Sequence, residues 1–297
     1  MGFWILTDVC CDLPADYIKE QEQFWAAPMP YRIDNEDRDF DLLEENLDQK
    51  LMDFFQRLSD GATSVTSQVN QQTWMDKFTQ ICEAGEDILV LAFSSALSGT
   101  YASALAAAGE ISPKYPNSKI YVVDSLCASL GEGLFLRQVL AHRDGGHTIE
   151  ECRDYAEDIK QKVIHWFTVD DLHFLRRGGR VSSATAYIGS MLKIKPVMNV
   201  NPEGKLIPRD KVQGRKRSLS ALYEKAKQYA FEPEKQTMLI SHGNCTADAE
   251  WLAEKLKKEL NVPEVIVSLI GPIVGSHSGP GTVALFFMGK DGEGRLS

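Results

Sequence analysis

Four stretches of this chain repeat one order: an apolar run suited to a buried strand, a tip of small or polar residues, then an amphipathic helical pattern. They pair Phe3–Thr7 with Pro14–Glu20, Ile88–Phe93 with Thr100–Ala108, Ile120–Val123 with Gly133–Ala141, and Met238–Ile240 with Ala247–Leu260. The tips are Asp8 to Asp12, Ser94 to Gly99, Asp124-Ser125 and Ser241 to Asn244. Strands that alternate with helices predict βαβ units, a mostly parallel sheet, and a site along the carboxyl edge of its strands.

The remaining segments fill in this α/β frame. Residues 26–34 read as another strand, Leu42 to Leu58 as a helix with an acidic outer face, and Gln71 to Ala84 as a helix. From about residue 161 the texture changes. Val163–Val169 has strand character, and Asp170 to Arg177 reads as a short helix stopped by Gly178-Gly179. Ser182 to Met191 predicts a helix, and Ile194–Val200 with Lys205–Pro208 a hairpin around Asn201-Pro202-Glu203-Gly204. A helix over Ser218 to Ala230 and strands at Val265–Leu269 and Val283–Met288 complete the pattern. The expected division is 1–160 and 161–297, a length that suits two domains.

A net charge of −10 argues against a nucleic-acid partner, because phosphate-binding surfaces are basic. The opening residues have neither a basic leader nor a long apolar core, and no apolar run reaches membrane-spanning length. A cytoplasmic protein without stable membrane insertion is therefore expected. The six cysteines show no metal-ligand spacing, and adjacent Cys10-Cys11 disfavours a disulfide between them. Reduced thiols, no metal and no cofactor are expected.

Ser94-Ser95-Ala96-Leu97-Ser98-Gly99-Thr100 is a hydroxyl-rich loop running into a helix, where free backbone N–H groups and the positive end of the helix dipole favour a small anion. Ser98, Gly99 and Thr100 are its candidate contacts, although Ser98 also suits a plain helix N-cap. Thr66-Ser67-Gln68 offers further hydroxyls and equally suits a cap for the helix from Gln71. His277 sits in the run Gly275 to Gly281, a glycine-rich loop where packing asks for no imidazole; Ser278 lies beside it. Arg180 follows two glycines at a helix end, where a cation suits the dipole with or without a ligand. The basic stretch Arg209, Lys211, Arg215, Lys216, Arg217 is either a solvated face or a docking patch.

Taken in order, the motifs Thr7-Asp8…Asp12-Leu13-Pro14, Thr66-Ser67-Gln68, Ser94 to Tyr101, Val123-Asp124-Ser125, Leu175 to Ser182, Leu192 to Pro196 and Gly275 to Gly281 make the chain resemble the DegV family of bacterial fatty-acid-binding proteins almost end to end. The resemblance implies an α/β fold in two domains, an N-terminal parallel-sheet α/β/α domain and a C-terminal mixed-sheet α/β domain, with a long-chain fatty acid between them. It implies a carrier without catalysis of its own, and a partner: a separate ATP-dependent fatty acid kinase that converts the presented carboxyl group to an acyl phosphate. By the same resemblance, Thr66, Ser98 and His277 align with carboxylate contacts, Arg180 belongs near the pocket mouth and the phosphate path, and Lys211 and Arg215 fall in the kinase-linked basic segment. The chain departs from the family at Cys10-Cys11, where Ser-Thr is usual, at Val69, where Pro is usual, and at Gln213, where Arg is common. About fifteen methylenes at roughly 0.8 kcal/mol each give on the order of 12 kcal/mol of gross apolar driving force for such a ligand. Its carboxylate must be fully hydrogen-bonded.

The rival reading is a serine hydrolase with Ser98 as nucleophile, His277 as base, and Asp8 or Asp124 at a strand tip as a possible orienting group. The loop lacks the Gly-x-Ser-x-Gly elbow, and the chain has no phosphate-binding loop of the kinase type.

Overall fold

A computed structural model describes residues 2–181, 194–291 and 293–296. The first part of the chain runs β1 (Phe3–Asp8), a 3-10 turn (Val9–Cys11), α1 (Ala15–Lys19), β2 (Phe24–Ala27), β3 (Met29–Ile33), β4 (Glu36–Phe40), α2 (Leu47–Ser59), β5 (Ser64–Thr66), α3 (Gln71–Glu83), β6 (Asp87–Ala92), α4 (Thr100–Ile111), β7 (Ile120–Asp124), α5 (Leu130–Asp144) and α6 (Ile149–Ile159). The second part runs β8 (Val163–Thr168), α7 (Leu172–Arg177), β9 (Ile194–Val200), β10 (Leu206–Gln213), α8 (Arg215–Tyr229), β11 (Thr237–His242), α9 (Thr246–Leu260), β12 (Glu264–Leu269), α10 (Pro272–Ser278) and β13 (Val283–Met288).

The strands form three sheets. One is four-stranded and wholly parallel, in the order β2-β1-β6-β7, so each step needs a crossover that places helices on its faces. The second is six-stranded and mixed, in the order β10-β9-β8-β13-β11-β12, and only β11 and β12 run parallel. A small antiparallel sheet, β4-β3-β5, is the third. This is the α/β architecture expected: a parallel sheet from the first part of the chain and a mixed one from the second.

Helix α5 joins the two large sheets. It packs against the 3-10 turn after β1 and also against β8, β11 and β13. A helix pressed from several sides must be apolar or small all round, and Leu130, Leu134, Phe135, Leu136 and Val139 are all buried. Two glycines allow the close approach: a Cβ on Gly131 would lie 2.0 Å from His165 Nε2, and one on Gly133 would lie 2.7 Å from the Cys11 carbonyl. Core residues such as Leu6, Leu89, Phe135, Phe167 and Ile273 belong to one continuous cluster across both parts of the chain.

Several elements depart from expectation. Residues 26–34 divide between β2 and β3, which belong to different sheets. Helix α2 begins only at Leu47, because Glu36–Phe40 pairs with β3 and Asp41 and Glu44 then close a turn. The segment holding His277 is helix α10 and not a loop, started by Pro272, whose fixed φ suits a first turn. Strand β10 runs past Pro208 to Gln213 by way of a register shift between Pro208 and Asp210, which accommodates the missing N–H. Helix α6 carries a complete capping box, Thr148 with Glu151, in a segment that periodicity left unassigned. The helix expected over Ser182 to Met191 lies outside the described residues.

Candidate functional site

A cavity of about 420 Å³ is lined from both parts of the chain. Phe93, Leu97, Phe167, Phe286, and Ile273 and Val274 of α10 supply its apolar lining. The volume lies within the ~300–1,000 Å³ range of small-molecule sites, and an apolar wall with a few grouped polar atoms is their usual make-up.

The polar atoms gather where β5, α10 and the start of α4 converge. Thr66 ends β5 and is fixed there by pairing with Tyr31. Its Oγ1 lies 2.9 Å from His277 Nε2 in the last turn of α10. Gly178 packs against the other side of the ring, where a Cβ would come within 2.1 Å of His277 Nδ1. Burial first, and then the positive charges of Arg180 and Arg177, push His277 down to about 4, so the imidazole is neutral at physiological pH. His277 Nδ1 and the neighbouring Ser278 Oγ are buried and have no hydrogen-bond partner among the described residues.

Ser98 accepts the Thr100 N–H at 3.3 Å and sits 3.0 Å from Thr100 Oγ1. Ser98 is not the N-cap expected of it, because that position is Gly99; it bonds to Thr100 from one residue earlier and also lines the cavity. Thr100 Oγ1 accepts the Val69 N–H at 3.3 Å, and Ser103 Oγ donates to the Val69 carbonyl at 2.6 Å. These bonds strap the Thr66–Val69 segment onto α4. Gly99 is pressed under Gln68, whose Oε1 would lie 1.9 Å from an added Cβ. Capping of the helix from Gln71 falls to Asn70, which accepts the Thr73 N–H, and not to Thr66, Ser67 or Gln68. Arg180 reaches across from the end of α7: its Nε donates to the Leu97 carbonyl at 3.1 Å and its Nη1 to the Gly178 carbonyl at 2.6 Å.

Thr66, Ser67, Ser98, Gly99, His277, Ser278 and Arg180 thus all line one cavity. Thr100 is buried behind Ser98 and acts through it. Lys211 and Arg215 lie away from the cavity. Lys211 is exposed on β10, and Arg215 opens α8, donating to Asp248 at 2.7 Å and pairing with Asp170 at 3.5 Å. Sequence reasoning missed the cavity walls supplied by His165, Phe167 and Phe286. Those residues lie in strands whose apolar pattern signals only burial. Cys10 also lines the cavity, with its thiol 3.5 Å from Met29 Sδ.

The arrangement lacks the geometry of a hydrolase. His277 Nε2 bonds to Thr66 and Ser98 Oγ to Thr100, so nucleophile and base face other partners. Asp8 accepts N–H groups from Cys10 and Phe93, and Asp124 those of Ser95 and Leu126. Both carboxylates are committed to their strand tips. His242, at the end of β11, accepts the Cys245 N–H and does not line the cavity.

Fold and site together define an α/β protein whose parallel and mixed sheets flank a mainly apolar cavity with a hydroxyl–imidazole cluster in its wall. The family model for the uncharacterised DegV proteins matches residues 3–290, and the chain belongs to the DegV family. A DegV domain-containing protein of Clostridium perfringens is 40% identical over 98% of this chain and 99% of its own. A fatty acid-binding protein of Thermotoga maritima is 32% identical over 94% of this chain and 95% of its own. Among solved structures, a DegV lipid-binding protein of Thermotoga maritima superposes with a TM-score of 0.83 at 28% identity, covering 98% of this chain and 100% of that one. A fatty-acid-binding DegV family protein of Thermus thermophilus gives 0.86 at 25% identity over 98% and 100%. Among the described residues, no helix is long and apolar enough to cross a membrane.

Proposed function

We propose that this protein binds a long-chain fatty acid in the cavity, with the acyl chain along Phe93, Leu97, Phe167, Ile273 and Phe286 and the carboxyl group at Thr66, Ser98 and His277. The observation that carries the reading is the composition of the wall: an apolar cavity of about 420 Å³ in which hydroxyls and one neutral imidazole converge at Thr66–His277, 2.9 Å apart. The Thr66 and Ser98 hydroxyls and an Nε2–H on His277 are donors of the kind a carboxylate needs, and Ser278 Oγ is a further buried hydroxyl with no partner among the described residues. The Thermotoga and Thermus relatives, whose function is fatty-acid or lipid binding, support the same ligand class. We place the boundary between the two ligand-holding domains at residue 160, between the end of α6 and the start of β8.

The protein then acts as a carrier, presenting the carboxyl group to an ATP-dependent kinase. The carboxylate oxygen attacks the γ-phosphorus, ADP leaves, and an acyl phosphate forms. Arg180 is the cavity-lining cation suited to the charge that gathers there, since breaking its two bonds to backbone carbonyls would free its guanidinium for a phosphoryl oxygen. Lys211 is assigned to partner docking. Arg215 enters this role only by exchanging Asp248 and Asp170 for the partner. Fluorescent fatty-acid displacement tests binding, and acyl-phosphate formation with the kinase of the same cell tests presentation. Binding without phosphorylation would leave a lipid store or chaperone, and no binding would refute the carrier.

A further inference from the structure

We propose that Asp12 is a positioning residue for the carboxyl-binding cluster, holding α10, and with it His277, against the first part of the chain; the inference rests on the fatty-acid reading above. Asp12 closes the 3-10 turn after β1 in a left-handed conformation (φ 52°) and is 2% exposed. Its Oδ1 accepts the N–H of Gly271, the residue that leads into α10, at 2.9 Å. Its Oδ2 accepts the Ser129 hydroxyl at 2.5 Å, and Ser129 Oγ lies 2.9 Å from Ser241 Oγ at the end of β11. One carboxylate therefore ties together the turn after β1, the start of α5 and the start of α10, and through Ser129 it reaches β11.

The contact with α10 is tight. A Cβ on Gly271 would lie 2.8 Å from Asp12 Oδ1 and 2.7 Å from Phe40 Cε1, so the backbone there is pressed directly onto the carboxylate. At its other end α10 is held by Ser276 Oγ, 2.7 Å from Ser64 Oγ, and by His277 on Thr66. Both of those partners lie on β5. The short helix also packs against α2, α7 and β3, and the Asp12 bond is the hold at its leading end that ties it to the turn after β1. Binding groups need placement to within about 0.5 Å. Loss of the carboxylate strands a buried N–H and a buried hydroxyl and lets α10 shift.

Burial pushes Asp12 up to about 7, against the lowering effect of its two hydrogen bonds, with the nearby Asp8 charge adding to the rise. The other ionisable groups around it are Cys10 and Cys11 on the same turn and Glu132 on α5. Ionisation of Asp12 should therefore be sensed at His277 through the helix.

The test compares wild type, Asp12→Ala, Asp12→Asn and Leu256→Ala, the last a core truncation in α9 away from the cavity. Readouts are fatty-acid displacement, melting temperature, and the His277 imidazole resonances of ligand-free protein from about pH 5 to about pH 9. Asp12→Ala should weaken fatty-acid binding about tenfold or more, while Leu256→Ala lowers melting temperature without that loss. Asp12→Asn keeps an acceptor for Gly271, so affinity should stay within about threefold, but the His277 inflection near pH 7 expected of wild type should vanish. Wild-type affinity in Asp12→Ala, or a loss no larger than in Leu256→Ala, would overturn the proposal. So would wild-type His277 resonances without the inflection. If Asp12→Ala fails to fold, the Asn variant and the inflection decide. Wild type that takes up no acid would sink the functional reading, and the ligand-free resonances would still decide whether Asp12 positions His277.

Discussion

Ser98 shows how one hydroxyl can serve both stability and binding. It accepts the Thr100 N–H and lines the cavity, so Ser98→Ala should cost about 1 kcal/mol of stability through the lost hydrogen bond. The same change should weaken fatty-acid binding about ten- to a hundredfold, the equivalent of roughly 1.5–3 kcal/mol for a bond to a charged acceptor. A melting temperature that collapses while displacement is unchanged would make Ser98 a structural residue alone. His277 gives a pH signature. Its ring is held at about 4, below the ordinary 6.5, so between these values the unfolded chain binds a proton that the folded chain refuses. Stability through this group is fully present above about 6.5 and is lost as pH falls towards 4. Asp12 works in the opposite sense: with its carboxyl raised from 3.8 to about 7, its contribution weakens as pH rises through that window. Denaturant titrations across pH should therefore show a smaller acid loss in His277→Gln than in wild type. At this scale the sequence was informative where donor chemistry is local, as at Thr66, Ser98 and His277. It placed Asp12 and Ser241 at strand tips but was silent on Ser129 and on the contact of the three, which meet only through the fold.

At the scale of elements, close approach between backbones and side chains shapes the site. Gly178 ends α7 with an ordinary φ of −74°, so alanine suits its backbone, yet an added Cβ would fall 2.1 Å from His277 Nδ1. Gly178→Ala should therefore displace the imidazole and weaken fatty-acid binding about tenfold, with a smaller effect on melting than a core truncation. Unchanged affinity would mean the ring can shift without cost. Away from the site, Thr148→Ala should remove the α6 capping box and cost about 1 kcal/mol by denaturant unfolding, leaving affinity intact. The strand–helix repeats were legible because β1, β6 and β11 are long apolar runs followed by periodic helices. The small sheet was not legible. Strand β4 carries Glu36, Asp37, Arg38 and Asp39, all exposed, and the three-residue β5 is too short for any period to register. The helical state of α10 was hidden by its glycines, although Pro272 marks its start.

The whole molecule is built from two sheet systems that meet at α5 and around the cavity. A bound acid should stabilise the entire fold, by about 2.7 kcal/mol at a free concentration a hundred times Kd. The proposed presentation to a kinase belongs to this scale as well. Arg180→Ala should leave affinity within a few-fold while strongly reducing acyl-phosphate formation, and Arg215→Ala should mainly loosen the start of α8 by stranding Asp248. Equal activity in the Arg180 variant would remove that residue from the phosphate path. The central claim is tested most directly by native mass spectrometry of the protein purified from cells grown with long-chain fatty acids. The account predicts a co-purified long-chain acid on wild type that is lost from a Thr66→Ala, His277→Ala double variant of unchanged fold. A wild-type protein that emerges without any acid, and takes none up on mixing, would contradict it.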